Sequence, residues 1–164
     1  MHGFISYAHT DHVEFEEFKK QLRQVERLTR VSFWSDKRIK AGNYWSAEIQ
    51  KRIEAADVCL LLASPGFADS DYIFDHELPA IANQKAARNT LVIPVAVKPV
   101  LIELIGNPFQ SVPSDDGGAL RFVIDWKPQR RGYERAINQI NSAICEHFKI
   151  TPKSPFGDLF AGRS

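Results

Sequence analysis

The chain is predicted to be an α/β protein of the flavodoxin-like kind: a three-layer sandwich whose central five-stranded parallel sheet has the order 2-1-3-4-5, with helices on both faces. Three observations predict it. Short apolar runs alternate with segments of helical periodicity along most of the sequence, which is how a sheet joined by crossover helices reads. The run Val58-Cys59-Leu60-Leu61-Leu62-Ala63 is apolar at every position, so it needs cover on both faces and belongs in the middle of a parallel sheet. The 164 residues, 44% apolar and 25% charged, suffice for one core of ordinary size.

Each element has its own justification. His2 to Ser6 is a first strand. Thr10 and Asp11 are N-cap residue types, and Phe15, Phe18, Leu22, Val25 and Leu28 then recur at helix spacing. Val31 to Trp34 is a second strand, followed by the polar loop Ser35 to Asn43 and a short helix with Trp45, Ile49 and Ile53 on one face. After the third strand, Val58 to Ala63, the turn Ser64-Pro65-Gly66 leads to a helix with Phe74, Leu78, Ile81 and Ala82 on its apolar face and Ile73 at the margin. Thr90 to Val97 is a fourth strand, where Pro94 removes a ladder donor, disfavours a central place and predicts a bend or ladder end. An irregular stretch over 98–120 has one helical turn near Leu101 to Ile105. Arg121 to Ile124 is read as the fifth strand, and Tyr133, Ala136, Ile137, Ile140, Ile144 and Phe148 define a last amphipathic helix. Residues 1–149 are expected to form one domain, and 150–164, rich in Pro, Gly and Ser, a tail or linker.

Composition narrows the function classes. A net charge of +1 with Lys and Arg interspersed among acids gives no basic stripe, which disfavours nucleic acid as the main partner. Cys59 and Cys145 read as small buried hydrophobes of a reducing compartment, and the five histidines show no metal-ligand spacing. With no membrane-length apolar run and no secretion-signal pattern, a cytoplasmic location without membrane contact is expected.

Glu77 stands out because it falls inside the apolar stripe of the helix after the third strand, between Ile73 and Phe74 or Ile81, while Asp71 and His76 point away. A carboxylate on an apolar flank has its charged form disfavoured by desolvation, and groups perturbed in this way cluster at functional sites. A cap or salt bridge to a neighbouring element is the plainer alternative. In the 2-1-3-4-5 order a ligand binds outside the carboxyl ends of strands one and three. Those ends carry Tyr7-Ala8-His9 and Ser64-Pro65-Gly66, so Glu77 can face the same crevice.

Phe4-Ile5-Ser6-Tyr7-Ala8, Asp36-Lys37-Arg38-Ile39-Lys40-Ala41-Gly42 with Trp45, Ser64-Pro65, Ser70-x-Tyr72 with Glu77-Leu78, Ile93-Pro94-Val95 and Trp126 together make the chain, from Gly3 to Phe148, resemble the Toll/interleukin-1 receptor (TIR) domain family, especially its bacterial, NAD⁺-consuming branch. The resemblance implies Glu77 as the catalytic glutamate. It implies NAD⁺ as substrate, with no separate cofactor and no metal, and nicotinamide with ADP-ribose or a cyclic ADP-ribose isomer as products. Ser6, Tyr7, Ala8, His9, Tyr72, Phe74 and Trp126 are the candidate substrate contacts. The family's aromatic four positions before the glutamate is Ile73 here, and Tyr72, through a turn one residue longer, is expected to take its place. The resemblance further implies self-association through a loop containing Lys37, Arg38, Ile39, Lys40, Gly42 and Trp45, a sensor domain or downstream effector as partner, and a role in anti-phage or stress signalling.

One carboxylate suits that chemistry. The pyridinium of NAD⁺ leaves as neutral nicotinamide, so no general acid is needed, and positive charge develops on the ribose, where an anion stabilises it. An aromatic face positions the cationic ring, and the helix start after Ser6 offers backbone N–H groups to the diphosphate. Each contact also has a plainer reading: His9 as a solvated loop histidine, Lys37, Arg38 and Lys40 as a solvated charge run, Trp34 and Trp45 as core, Ser6 as a strand-end residue. A TIR–TIR interaction module without enzymatic activity is the competing class. A phosphoacceptor receiver is disfavoured because Ala63-Ser64 and Ala8-His9 stand where its acids are needed, and a dinucleotide oxidoreductase because the first turn lacks Gly-x-Gly-x-x-Gly.

Overall fold

A computed structural model describes residues 1–36, 47–105 and 111–152. Lys37, Arg38, Ile39, Lys40, Gly42 and Trp45 lie outside the described residues, as does most of the tail. Among the described residues four parallel strands form the sheet: β1 (His2–Ser6), β2 (Ser32–Trp34), β3 (Val58–Ala63) and β4 (Leu91–Ala96), in the order β2-β1-β3-β4. Phe4 pairs with Trp34 on one side and Cys59 on the other, and Cys59 pairs with Val92.

The period of two along the strands sorts side chains into two cores. Ile5, Leu60, Leu62, Ile93 and Val95 face α1 (His12–Thr29) and α5 (Arg130–Phe148). Phe4, Cys59, Leu61, Ala63 and Val92 face α2 (Ala47–Glu54), the single turn α3 (Pro65–Ala68) and α4 (Leu78–Arg88). The result is the three-layer sandwich, with β3 buried at every position. Helix α1 buries Phe15, Phe18, Leu22 and Val25 and stops at Arg30, whose left-handed φ of 58° lets its N–H reach the Glu26 carbonyl. Leu28 and Phe148, expected on the inner faces, are half-buried, and so is Cys145.

Three expectations need correction. The fifth strand does not form: Val123–Asp125 is a turn of 3-10 helix, in which Val123 is buried while Ile124 stays 40% exposed. Only four residues separate Leu120 from Asp125, and Pro128 follows soon after, so the chain has little length to lie flat before it enters α5. Val112 bridges the free side of β4 instead, its N–H bonding the Pro94 carbonyl at 2.9 Å and its carbonyl the Ala96 N–H at 2.7 Å. Pro94 does not end the ladder either, since β3 and β4 pair through Ala63 and Ala96. The bonds to Val112 show that residue 94 turns its backbone polar groups outward, so the missing N–H falls on the sheet edge.

The third correction concerns the helix bearing Glu77. Residues Ile73–Glu77 form a π turn, with the Leu78 N–H bonded to the Ile73 carbonyl five residues back. A wider turn lowers the rotation per residue, so the buried stripe becomes Ile73, Glu77 and Ile81. Phe74 and Leu78 are half-buried at its edge, and Ala82 is exposed.

Candidate active site

The carboxyl ends of β1 and β3 form the floor of the site. Ser6, the last residue of β1, is buried, and its hydroxyl donates to Glu77 Oε2 at 2.5 Å. Glu77 arrives at the end of the π turn, 3% exposed, packed on the side of the sheet that holds Phe4, Cys59 and Ile73. It does not cap α4 through its side chain, and among the described residues no Lys or Arg pairs with it. Among the described residues, neither a helix-cap bond nor a salt bridge accounts for its burial.

Burial raises the Glu77 carboxyl to about 7, against the lowering effect of the Ser6 hydrogen bond, and the charge of Asp36 adds to the rise. Its field reaches the neighbours. The Cys59 thiol is pushed up to about 12, first by burial and then by Glu77. The Tyr72 phenol rises to about 12 through burial, then Glu77 and Asp36. Tyr7 is raised by burial, then by Glu16, Asp36 and Glu77. Two tyrosines and several acids thus share one negative field.

Tyr7 lies flat on Phe15, rings 3.8 Å apart and 4° from parallel, and its hydroxyl points to the Asp36 carbonyl at 3.4 Å. Tyr72 precedes the π turn and meets the His76 ring edge-on at 5.4 Å. The π turn places Tyr72 five residues, about one turn of this wider coil, before Glu77. Phe74 makes a T-shaped contact with Phe67, ring centroids 6.5 Å apart, on the flank of the core. Buried Ala8 closes the first turn through its carbonyl, which accepts the Asp11 N–H at 2.9 Å, and His9 is exposed beside Tyr7. Trp126 sits at the foot of α5, under the Arg121 guanidinium at 4.6 Å and against Gly132, where an added Cβ would come within 2.8 Å of the indole. These contacts tie Trp126 to α5 and not to Ser6 or Glu77.

A second cluster was not anticipated. Asp11, expected as an N-cap, makes no side-chain cap bond. Its buried carboxylate accepts the Ser64 hydroxyl and, through Oδ1 at 2.8 Å, the Lys98 ammonium, which also meets Glu14 at 2.8 Å. Lys98 is raised by hydrogen bonds to Asp11 and Glu14. Burial opposes the charge on Glu14, but the bond from Lys98 prevails and holds its carboxyl below the usual value. The available signal was topological: all four residues lie just past, or one helical turn beyond, the carboxyl ends of adjacent parallel strands.

A family model described as TIR domain matches residues 4–140. The chain belongs to the TIR domain family. This family contains signalling modules that associate with other TIR domains, and NAD⁺-consuming members as well as members without enzymatic activity. A relative in Sinorhizobium fredii, the uncharacterized protein y4lF, is 33% identical over 95 residues, which is 58% of this chain and 29% of that protein. The TIR domain thus aligns with less than a third of that relative's length. Among the described residues no helix is long and apolar enough to cross a membrane.

Proposed function

We propose that this TIR domain cleaves NAD⁺ at the bond between nicotinamide and ribose, with Glu77 as the catalytic residue. The observation that carries the reading is a buried carboxylate, at the carboxyl ends of β1 and β3, that has a hydroxyl donor but no cation among the described residues. Such a group is expensive to bury unless a positive charge comes to it. A pyridinium and the ribosyl cation it leaves behind supply that charge.

The C–N bond breaks with its electron pair going to the ring nitrogen, so nicotinamide departs neutral. The ionised Glu77 stabilises the electron-poor sugar, and the ribose hydroxyls replace Ser6 as its donors. Water adding to the sugar carbon loses a proton, and a carboxylate whose basicity lies near neutrality can accept it. Attack by water gives ADP-ribose, and attack by the adenine of the same molecule gives a cyclic isomer. Tyr72 supplies the aromatic face for nicotinamide, and the turn from Tyr7 to His9 faces the diphosphate. The family's TIR–TIR association supports activity that depends on self-assembly, and with it a place in bacterial anti-phage or stress signalling alongside a sensor or effector.

The test is to incubate the protein at high concentration with NAD⁺ and identify products by mass, beside Glu77→Gln. Nicotinamide release that vanishes in the variant is expected. Self-association with no loss of NAD⁺ at any concentration would leave the domain as an interaction module.

A further inference from the structure

We propose that Asp11, Ser64 and Lys98 form a buried latch that fixes the turn after β1 against the turn after β3, and so act as positioning residues for binding NAD⁺. The inference rests on the NAD⁺ reading and adds residues that touch neither the sugar nor the leaving group.

The latch joins three neighbouring strands at one end of the sheet. Asp11 follows β1, Ser64 follows β3, and Lys98 lies two residues past β4. Ser64 is fully buried and works in both directions, donating to Asp11 and accepting the Phe67 N–H at 2.9 Å, which fixes the first turn of α3. Asp11, 4% exposed, closes its own turn through its N–H on the Ala8 carbonyl at 2.9 Å. The two turns touch so closely that a Cβ on Gly66 would lie 2.3 Å from Thr10 Oγ1 and 3.2 Å from Asp11 Oδ2. Only glycine fits there without displacing one of them.

The charge balance says what the cluster is for. Two carboxylates, Asp11 and Glu14, share the Lys98 ammonium at 2.8 Å each, so no net positive charge remains to hold a diphosphate. What the latch controls is the position of Ala8 and His9, whose backbone N–H groups belong to the turn that faces the diphosphate in the proposed complex. Displacing such a loop weakens binding of ground state and transition state alike, which raises KM and leaves kcat nearly as it was. Glu77 keeps Ser6 throughout, because that pair shares no atom with the latch.

The experiment measures steady-state nicotinamide release and amide hydrogen exchange in the full chain for Asp11→Asn, Lys98→Met, Lys98→Arg and Gly66→Ala. Asp11→Asn, Lys98→Met and Gly66→Ala should each raise KM for NAD⁺ by about tenfold with kcat within about threefold. Exchange should speed up at residues 8–11 and at Phe67 in the same variants. Lys98→Arg, which keeps the charge, should restore both readouts. A folded Asp11→Asn or Gly66→Ala with unchanged KM overturns the latch, as does a loss confined to kcat or an Arg variant no better than Met. If Lys98→Met does not fold, Gly66→Ala decides, since it separates the turns without altering any charge. Failure of the NAD⁺ reading shows separately, as wild-type protein that releases no nicotinamide. The exchange arm then still determines whether the two turns are coupled, and unchanged exchange in Asp11→Asn overturns that too.

Discussion

Two serine–carboxylate pairs stand side by side at the carboxyl ends of this sheet, and among the described residues a cation meets one of them and not the other. Ser64 donates to Asp11 and Ser6 donates to Glu77, and the two acids are almost equally hidden, 4% and 3% exposed. Asp11 has Lys98 at 2.8 Å, whereas Glu77 has no cation among the described residues. The same local chemistry thus yields a paired, inert charge in one place and a carboxyl raised to about 7 in the other. Among the described residues, a lysine stands beside one buried acid and none beside the other. On the proposed reading, the difference separates a group that holds the structure together from one that meets a positive partner in the substrate.

Removing the open charge should have the largest effect. Glu77→Gln keeps the shape and can still accept from Ser6, yet nicotinamide release should fall by about 10²–10³-fold, the usual loss when one electrostatic stabiliser is removed. Stability should move the other way. Glu77 binds its proton more tightly folded, at about 7, than unfolded, at 4.5, so the folded state holds more protons within that window. Stability therefore falls as pH rises through it, by roughly 3 kcal/mol when fully ionised. Thermal melts at pH 8 should show Glu77→Gln more stable than wild type, with the gap closing below pH 4.5.

At the paired acid the sign reverses. Lys98→Met strands Asp11 and Glu14 without their counter-charge and should cost about 2 kcal/mol in denaturant titration, less than a fully buried pair because Lys98 is 30% exposed. The smallest effect belongs to Ser6→Ala. The Ser6 hydrogen bond lowers the Glu77 carboxyl, so its loss should move the acidic limb of the rate profile to higher pH by about one unit, which is about 1.4 kcal/mol and at the low end for a hydrogen bond to a charge. An unmoved limb would mean that Ser6 does not hold the ionised form.

Much of the frame was legible because burial is periodic. The uniform apolarity of Val58 to Ala63 placed β3 in the middle, and the helix-spaced Phe15, Phe18, Leu22 and Val25 placed α1 on one face. Periodicity also singles out Glu77, although an α-helical period puts Phe74, Leu78 and Ala82 on the buried face. The π turn shifts the stripe to Ile73, Glu77 and Ile81, and hydrophobic periodicity does not announce an i to i+5 bond, although the offset of Tyr72 from the family's aromatic position hints at one. The fifth strand failed because β-propensity in Arg121 to Ile124 says nothing about whether the edge of β4 is already bridged by Val112. Asp11 illustrates the same limit. Its residue type reads as a cap, but its partners, Ser64 and Lys98, are 53 and 87 residues away and become visible only once β1, β3 and β4 lie side by side.

The most direct measurement is kcat/KM for NAD⁺ from pH 5 to 9, by nicotinamide release at high protein concentration, in wild type and Glu77→Gln. The wild type should rise tenfold per pH unit and level off near pH 7 or just above, as Glu77 ionises, while the variant stays flat and near background. Nicotinamide release that persists in Glu77→Gln with the same pH profile, or a wild type that consumes no NAD⁺ at any pH or concentration, would contradict the role assigned to this carboxylate.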